Sequence, residues 1–398
     1  MRNVSLFEDE RLTLADALDL TAASLQAYGA TYRHWAVAYS GGKDSSATVT
    51  AVVHLIESGR IPRPETLTVL YADTRMELPP LQNAALATLA VLEARGIRTQ
   101  VVLPAMDDRF FVYVLGRGVP PPKNNFRWCT PQLKIEPMLG ALQRLRGEVG
   151  QKILMITGVR VGESAARDQR IALSCGRDGA ECGQGWFQQS TSEAVADTLA
   201  PLLHWRVCHV WDWLTFDAPP LGFPTAMIAE VYGGDEAREL NARTGCIQCP
   251  LASRDTALEY LLGQAAWAHL SPLKRLRPLY EELRQPKFRL RKDGSERRKD
   301  GTIPKNLMRL GPLTFEARRY ALGVVLGIQA EINDAAARAD RPPVHLIDAE
   351  ELDRIEALID AGTWPQGWSG EEVRGDVALP QRHADGTVQD WLLSLESV

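Results

Sequence analysis

The residues best suited to chemistry form one short stretch, Ser40-Gly41-Gly42-Lys43-Asp44-Ser45-Ser46. It follows an apolar run, residues 34–39, that is predicted as a buried strand, and it precedes a predicted helix over residues 47–58. Glycines let the backbone approach an anion closely, and the N–H groups and dipole of the helix then point at it. The serine hydroxyls and the Lys43 ammonium add donors and charge. The order strand, glycine loop, helix therefore predicts a phosphate-binding site.

The spacing of this loop separates it from the common P-loop, which has four residues between its first glycine and the Gly-Lys pair. Here the glycines are adjacent and Asp44 follows Lys43. The pattern Ser-Gly-Gly-Lys-Asp-Ser resembles the PP-loop of ATP pyrophosphatases, enzymes that cut ATP between the α and β phosphates. The alternative is a glycine turn with chance polar neighbours, but the flanking strand and helix favour the phosphate site.

The elements that must position this loop alternate along the chain. Apolar runs predict strands over residues 66–72, 98–103 and 152–157, and helices are expected over 12–28 and 79–95. This alternation predicts an α/β fold with a doubly wound, mostly parallel sheet. Ligands of such sheets bind at the carboxyl ends of strands. Asp73, Arg75, Gly158 and Arg160 stand at predicted strand ends of that kind.

The length of 398 residues allows a second region beside the α/β domain. We expect a nucleotide-binding domain over residues 1–253, with a cysteine-bearing insertion, and a mostly helical region over 254–398. Neither a secretory signal nor a membrane-spanning apolar run is recognised, so we expect a cytoplasmic protein. The net charge of −5 means that a nucleic-acid partner would have to be met by a local basic patch.

Three further motifs follow the loop in order. They are Lys123-Asn124-Asn125-Phe126-Arg127-Trp128-Cys129-Thr130, then Leu133-Lys134-Ile135-Glu136-Pro137-Met138, and last Gly158-Val159-Arg160-Val161-Gly162-Glu163-Ser164-Ala165-Ala166-Arg167. With the PP-loop and Asp73-Thr74 they resemble the phosphoadenosine-phosphosulfate (PAPS) reductase superfamily over about residues 30–255. The branch that they resemble most is the DndC type, which serves DNA phosphorothioation.

This resemblance implies an enzyme that cleaves ATP to AMP and pyrophosphate and activates a DNA backbone phosphate by adenylylation. It implies Mg²⁺ on the phosphates, DNA as a partner, and sulfur from a cysteine desulfurase or another donor, with companion modification proteins. The implied catalytic residues are Lys43, Asp44 and Arg160. The implied nucleotide-binding residues are Ser40, Gly41, Gly42, Lys43, Asp44, Ser45, Ser46, Asp73, Lys134, Gly158 and Arg160. Arg127 and Arg167 would add cations, unless they pair with neighbouring glutamates.

Two other functions stay open. One is sulfonucleotide reduction, but PAPS reductases use a cysteine near the C-terminus and lack the Gly-Gly-Lys-Asp pattern, whereas the last cysteine here is Cys249. The other is a regulatory or defence protein that binds a nucleotide without turnover, which the intact loop disfavours.

Five of the six cysteines are candidate metal ligands. Cys246 and Cys249 form a C-x-x-C unit, and Cys175, Cys182 and Cys129 lie upstream. Four thiolates hold either Zn²⁺ or a 4Fe–4S cluster, and spacing does not separate the two. The resemblance favours the iron–sulfur cluster, held by four of these five residues. Unliganded buried thiols and a redox dithiol are the alternatives.

A basic stretch over residues 287–299 alternates cations with turn residues and predicts a hairpin or a flexible loop. Such a run is usually a solvated surface. It is also the local excess of cations that contact with a phosphate backbone would need.

Overall fold

The computed structural model describes residues 12–162, 165–174, 180–181, 185–189, 194–232, 246–297, 300–302, 304, 306–383 and 387–389. The chain divides into two compact units that alternate along the sequence. Unit 1 comprises Met1–Leu103, Lys134–Cys246 and Asp255–Gln264, and unit 2 comprises Pro104–Leu133, Ile247–Arg254 and Ala265–Val398. The domain boundary at residue 253 stays a prediction. Residues 104–133, which we expected in the first domain, belong to the same unit as most of the C-terminal region.

A seven-stranded sheet lies at the centre of the described part of unit 1. Its strands are β1 (His34–Tyr39), β2 (Thr66–Ala72), β3 (Arg98–Val102), β4 (Ile153–Ile156), β5 (Ala180–Glu181), β6 (Trp186–Gln188) and β7 (Ala196–Ala200). Their order is β3-β2-β1-β4-β7-β6-β5. The first five strands in this order, from β3 to β7, pair in parallel. Strands β6 and β5 pair antiparallel and complete the sheet at one edge. The predicted α/β fold with a mostly parallel sheet is confirmed.

The described helices of unit 1 connect and cover these strands. They are α1 (Leu14–Gly29), α2 (Lys43–Glu57), α3 (Pro79–Ala94), α4 (Glu136–Val149), α5 (Ala165–Ser174), α6 (Val207–Asp212), α7 (Ala226–Tyr232) and α8 (Thr256–Leu262). Local sequence explains where several begin. Thr13 and Asp16 form a capping box at the start of α1, and prolines occupy the first turn of α3. Within the described residues, no helix combines the length and the apolar character that crossing a membrane requires.

Both faces of the sheet are buried. On one face Ala36, Leu70 and Met155 pack against Ala141 and Leu145 of α4. Side chains alternate along a strand, so Trp35, Val37 and Val69 point to the opposite face, where they are also almost fully buried. Coverage of both faces is typical of parallel sheets and explains why most residues of β1 and β2 are apolar.

The described part of unit 2 is mostly helical. Its helices and the strands of its three-stranded sheet are α9 (Leu276–Glu282), β8 (Arg289–Arg291), β9 (Leu310–Leu313), α10 (Phe315–Arg338), α11 (Ala349–Asp360) and β10 (Val373–Arg374). A shorter pair, β11 (Gln381–Arg382) and β12 (Val388–Gln389), lies near the end of the chain, and short 3₁₀ or π-helical turns cover Met106–Asp108, Val112–Gly116 and Ala265–Arg275. The expected helical C-terminal region is therefore present.

The described part of the basic stretch over residues 287–299 contains β8. Strand β8 lies between β10 and β9 in a three-stranded antiparallel sheet. Residues 292–297 contain no helix or strand and lie between the antiparallel neighbours β8 and β9, so the hairpin or flexible loop stays a prediction, while the pairing of β8 with the distant β10 was not expected.

Candidate nucleotide-binding site

The predicted phosphate loop lies at the carboxyl end of the sheet in unit 1. Strand β1 ends at Tyr39, Gly42 is the residue that precedes α2, and α2 begins at Lys43. Gly41 has φ of 72°, a left-handed conformation that favours glycine, and a side-chain carbon there would approach Ala85 to 3.0 Å. No side chain caps the first turn of α2. Its N–H groups therefore remain the kind of donors that bind anions at helix N-termini.

Three charged side chains meet at the start of α2. The Asp44 carboxylate pairs with the Lys43 ammonium at 2.7 Å and with Nε of Arg160 at 2.5 Å. Arg160 also donates to the Trp205 carbonyl at 3.2 Å, and its side chain is only 3% exposed. Burial opposes ionisation of Asp44, but the charges of Lys43 and Arg160 outweigh it and hold the pKa of this carboxyl below its usual range. The cluster therefore carries one net positive charge at neutral pH.

Gly158 lets Arg160 reach this cluster. It follows β4, which neighbours β1 in the sheet, so both strands end at the same edge. A side-chain carbon at residue 158 would lie 3.0 Å from the carbonyl carbon and oxygen of Asp44 and from Oγ1 of Thr48. The close approach of the two backbones thus requires glycine, whereas a role of Gly158 in nucleotide binding stays a prediction.

Asp73 lies at the end of β2 on the other side of β1. Its side chain is buried, and its carboxylate accepts bonds from the Arg75 N–H at 2.8 Å and from Nε2 of Gln82 at 3.2 Å. Glu77 braces the same turn, because its carboxylate accepts the Thr74 hydroxyl at 2.6 Å and the Thr74 N–H at 3.2 Å. Burial raises the pKa of Glu77 and the Asp73 charge adds to this, while the Thr74 bond and the Lys134 charge oppose it.

The hydroxyls of the loop differ in what they can contact. Ser40 is exposed, whereas Ser46 is fully buried. Ser45 donates to the Gly42 carbonyl at 2.9 Å and accepts from the Ser40 N–H at 3.2 Å, so it stabilises the shape of the loop. Ser40 is therefore the hydroxyl best placed for a ligand. Lys134 is exposed and acts on the charge of Glu77, and the Arg167 side chain lies outside the described residues.

Sequence reasoning missed Tyr232 and Glu77. Tyr232 ends α7, and the Lys43 ammonium lies 5.7 Å from the centre of its ring, a distance at which a cation is attracted to an aromatic face. A side-chain carbon at Gly42 would lie 3.4 Å from the Tyr232 hydroxyl. No signal in the sequence indicates this contact, because Tyr232 follows in an ordinary amphipathic helix. Glu77 could have been found as a carboxylate soon after the β2 strand end.

Two candidate metal ligands, Cys129 and Cys249, belong to unit 2. Burial raises the pKa of the Cys129 thiol, and an electrostatic interaction with Cys249 adds to this increase. Cys129, Cys208, Cys246 and Cys249 are half-buried and form no disulfide, while Cys175 and Cys182 lie outside the described residues. In the described ranges, no three His, Cys, Asp or Glu side chains are grouped as a metal site. The described thiols thus supply a pair, which alone does not fit a four-thiolate centre.

Mg²⁺ places fewer demands on the protein. It commonly binds one or two carboxylates together with the phosphate oxygens of a nucleotide. Asp44 lies in the first turn of α2 after β1, and Asp73 follows the neighbouring strand β2, so both candidate carboxylates come after strands that pair with each other.

Comparisons with solved structures give distant likenesses. PAPS reductase from Candida auris, in its phosphate complex, is 12% identical with a TM-score of 0.31 over 52% of this chain and 88% of that one. The U34-tRNA thiolase NcsA from Methanococcus maripaludis, with its 4Fe–4S cluster, is 15% identical with a TM-score of 0.34 over 68% and 76% of the two chains.

Two curated relatives come from Methanocaldococcus jannaschii, and both are described as uncharacterized. MJ0973 is 24% identical over 215 residues, which is 54% of this chain and 41% of the relative. MJ0066 is 24% identical over 217 residues, 54% of this chain and 35% of the relative. The aligned regions thus span well under half of the length of these relatives.

The family comparison concerns the segment that holds the loop. Residues 34–221 match the model of the phosphoadenosine phosphosulfate reductase domain. The matched segment is a little under half of the chain, and it contains the loop, Asp73 and Arg160.

Proposed function

We propose that this protein is an ATP pyrophosphatase that cleaves ATP to AMP and pyrophosphate. The proposal rests on one observation. The N-terminus of α2 has no side-chain cap, and the charged cluster of Lys43, Asp44 and Arg160 lies at that end of the helix. The helix end and the cations suit the negative charge of a triphosphate, and a lysine and an arginine together neutralise charge that develops on a leaving pyrophosphate. An in-line displacement at phosphorus depends mainly on such positioning of the reacting groups.

In the proposed reaction an acceptor oxygen attacks the α-phosphorus of ATP. The bond between the α-phosphorus and the bridging oxygen to the β-phosphate breaks, and pyrophosphate leaves. The acceptor then carries AMP, which makes its oxygen a good leaving group. Lys43 and Arg160 would neutralise the phosphates, and Asp44 and Asp73 would hold Mg²⁺, which lowers the charge barrier to attack.

The finer assignment follows the DndC-type resemblance. The acceptor is a DNA backbone phosphate oxygen. Sulfur from a cysteine desulfurase or a related donor, reduced to the sulfide level by a thiol, then attacks the phosphorus, forms the P–S bond and displaces AMP to leave a phosphorothioate. A 4Fe–4S cluster would be held by four of Cys129, Cys175, Cys182, Cys246 and Cys249, and it would supply electron or sulfur chemistry when bound. The electrostatic interaction between Cys129 and Cys249 agrees with this ligand set.

The test is the product pattern from ATP, measured with and without DNA. We expect AMP and pyrophosphate, and Lys43→Ala should lower the rate at least about a hundredfold, the effect typical of removing one preorganised charge stabiliser. Arg33→Ala is the matched control, because the Arg33 side chain is 59% exposed and lies at the end of β1 away from the loop. ADP and orthophosphate as products would reject the proposal, and adenosine 3′,5′-bisphosphate made from PAPS would favour the reductase.

A further inference from the structure

A cavity of about 770 Å³ lies in unit 2 and is not part of the nucleotide site. Its volume falls within the range typical of small-molecule sites. Four of its lining residues are cations, Lys123, Arg284, Arg289 and Arg309, and none of the described lining residues is Asp or Glu. The charge of the lining is therefore strongly one-sided.

Two of the three arginines at this cavity, Arg284 and Arg289, lack a carboxylate partner within the described residues. Arg289 is 9% exposed, and its Nε donates to the Gly311 carbonyl at 2.8 Å. Arg284 donates to the carbonyls of Pro122 and Pro250, and its Nε has no partner in the described structure. Carbonyls satisfy hydrogen bonds but do not neutralise charge, so two positive charges remain at the wall of the cavity.

The environment of these guanidinium groups disfavours their charge. Burial, followed by repulsion from Arg284, lowers the pKa of Arg289 to about 10. Burial also lowers the pKa of Arg284, and Glu281 only partly opposes it. An anion in the cavity would relieve both effects, since it would supply the missing opposite charge.

The neighbouring cations are neutralised, which makes this pair distinct. Arg309 pairs with Glu296, and Lys292 pairs with Glu372 at 2.8 Å. Elsewhere in unit 2, Arg354 binds Asp107 through two bonds of 2.5 and 2.7 Å. Arg318 of α10 is also buried against backbone carbonyls, but it does not line the cavity, so Arg284 and Arg289 are distinguished by sharing one cavity wall.

The rest of the lining is apolar and includes an exposed ring. Phe126 is 43% exposed, although it is a large apolar side chain. Pro120, Pro121, Met308 and Pro312 continue the apolar surface, and Asn125 and Asn306 supply amide donors and acceptors. A ring beside arginines suits a ligand that joins a planar group to an anion, because bases stack on aromatic side chains.

We propose that this cavity is a second ligand site, which binds a nucleoside phosphate with its phosphate on Arg284 and Arg289 and its base on Phe126. The source is either a free nucleotide or one nucleotide unit of a single strand. Both sources share this chemistry, and both are distinct from the ATP that the loop in unit 1 would bind.

Binding of AMP and of a short single-stranded DNA oligonucleotide to the full chain tests the proposal by calorimetry. The measurement uses the Lys43→Ala background, so that the loop site contributes less. Arg284→Gln and Arg289→Gln should each weaken binding by roughly tenfold, the loss typical of one charge-assisted bond. Phe126→Ala should weaken AMP and the oligonucleotide but not inorganic phosphate.

Arg319→Gln is the matched control, since it removes one charge from a 61% exposed residue of α10 that does not line the cavity. Thermal melting without ligand identifies any variant that fails to fold, and if Arg289→Gln fails to fold, Arg284→Gln still tests the proposal. Tighter binding of the oligonucleotide assigns the site to a strand, and tighter binding of AMP assigns it to a free nucleotide. Equal effects of Arg319→Gln and Arg284→Gln, or inorganic phosphate binding as tightly as AMP, would overturn the proposal.

Discussion

At the scale of single residues, the function of the site depends on how burial and charge are balanced. Lys43 and Arg160 outweigh the cost of burying Asp44, so its carboxyl stays ionised to a pH below its ordinary pKa of 3.8. Its carboxylate in turn orients the Arg160 side chain, which is nearly inaccessible to water. Loss of the Asp44 carboxylate would leave a buried guanidinium without its partner, at a cost of about 3–5 kcal/mol.

Glu77 gives a pH dependence with a definite sign. Its folded-state pKa is raised, so its contribution to stability is full below the ordinary value of 4.5 and is lost as pH rises through the folded pKa. The Glu77→Gln variant cannot ionise at this residue. The urea concentration at its unfolding midpoint should therefore rise relative to that of the wild type as pH increases above 4.5. Glu65→Gln, at a 49% exposed side chain, is the control and should show a smaller change. A Glu77→Gln difference that is constant between acid and neutral pH would contradict this expectation.

At the scale of elements, the contact between the end of β4 and the start of α2 fixes the site. Because Gly158 lies against the Asp44 backbone, neither element can shift without moving Arg160 relative to Lys43. The parallel register of β1 with both β2 and β4 places the three strand ends side by side. The loop, Asp73 and Arg160 therefore share one edge of a rigid sheet.

Gly158→Ala tests this contact. The added methyl group would meet backbone atoms at 3.0 Å, so we expect a loss of stability of about 1–3 kcal/mol and weaker ATP binding. Gly147→Ala is the matched control, because Gly147 lies inside α4 with open space around it, and there alanine should stabilise the helix by roughly 0.5–1 kcal/mol. Chemical unfolding and ATP titration measure both effects. Unchanged ATP affinity in Gly158→Ala would show that the contact does not position the site.

At the scale of the whole molecule, the cysteines are divided between the two units. Cys129 and Cys249 belong to unit 2, whereas Cys175, Cys182 and Cys246 fall in segments of unit 1. The cluster is therefore tested on the full chain.

Anaerobic purification of the full chain should yield about four iron atoms per protein and a broad absorption typical of thiolate-bound iron. Cys249→Ser and Cys246→Ser should each lower the iron content to a small fraction. Cys208→Ser should retain it, because Cys208 lies outside the proposed ligand set. Metal analysis with stoichiometric zinc and no iron would reject the cluster.

The sequence by itself determined the local features of the nucleotide site. The bounds of β1 and β2 agree with the predicted runs, and the predicted glycine loop lies between β1 and α2. These features depend on neighbouring residues only, namely apolar runs, glycines and a helix start, so they are visible in the linear sequence. The cation at residue 160 was also predicted to lie at a strand end.

Only the tertiary structure decided which side chains meet. Arg160 pairs with Asp44 across 116 residues because β4 neighbours β1, and Tyr232 approaches Lys43 from a helix still further along the chain. The same holds for Arg284 and Arg289, whose shared cavity includes Lys123 and Phe126 from a segment far upstream. Such contacts depend on strand order and on the packing of distant segments, and the free energy that selects them comes from burial over the whole unit rather than from any local pattern.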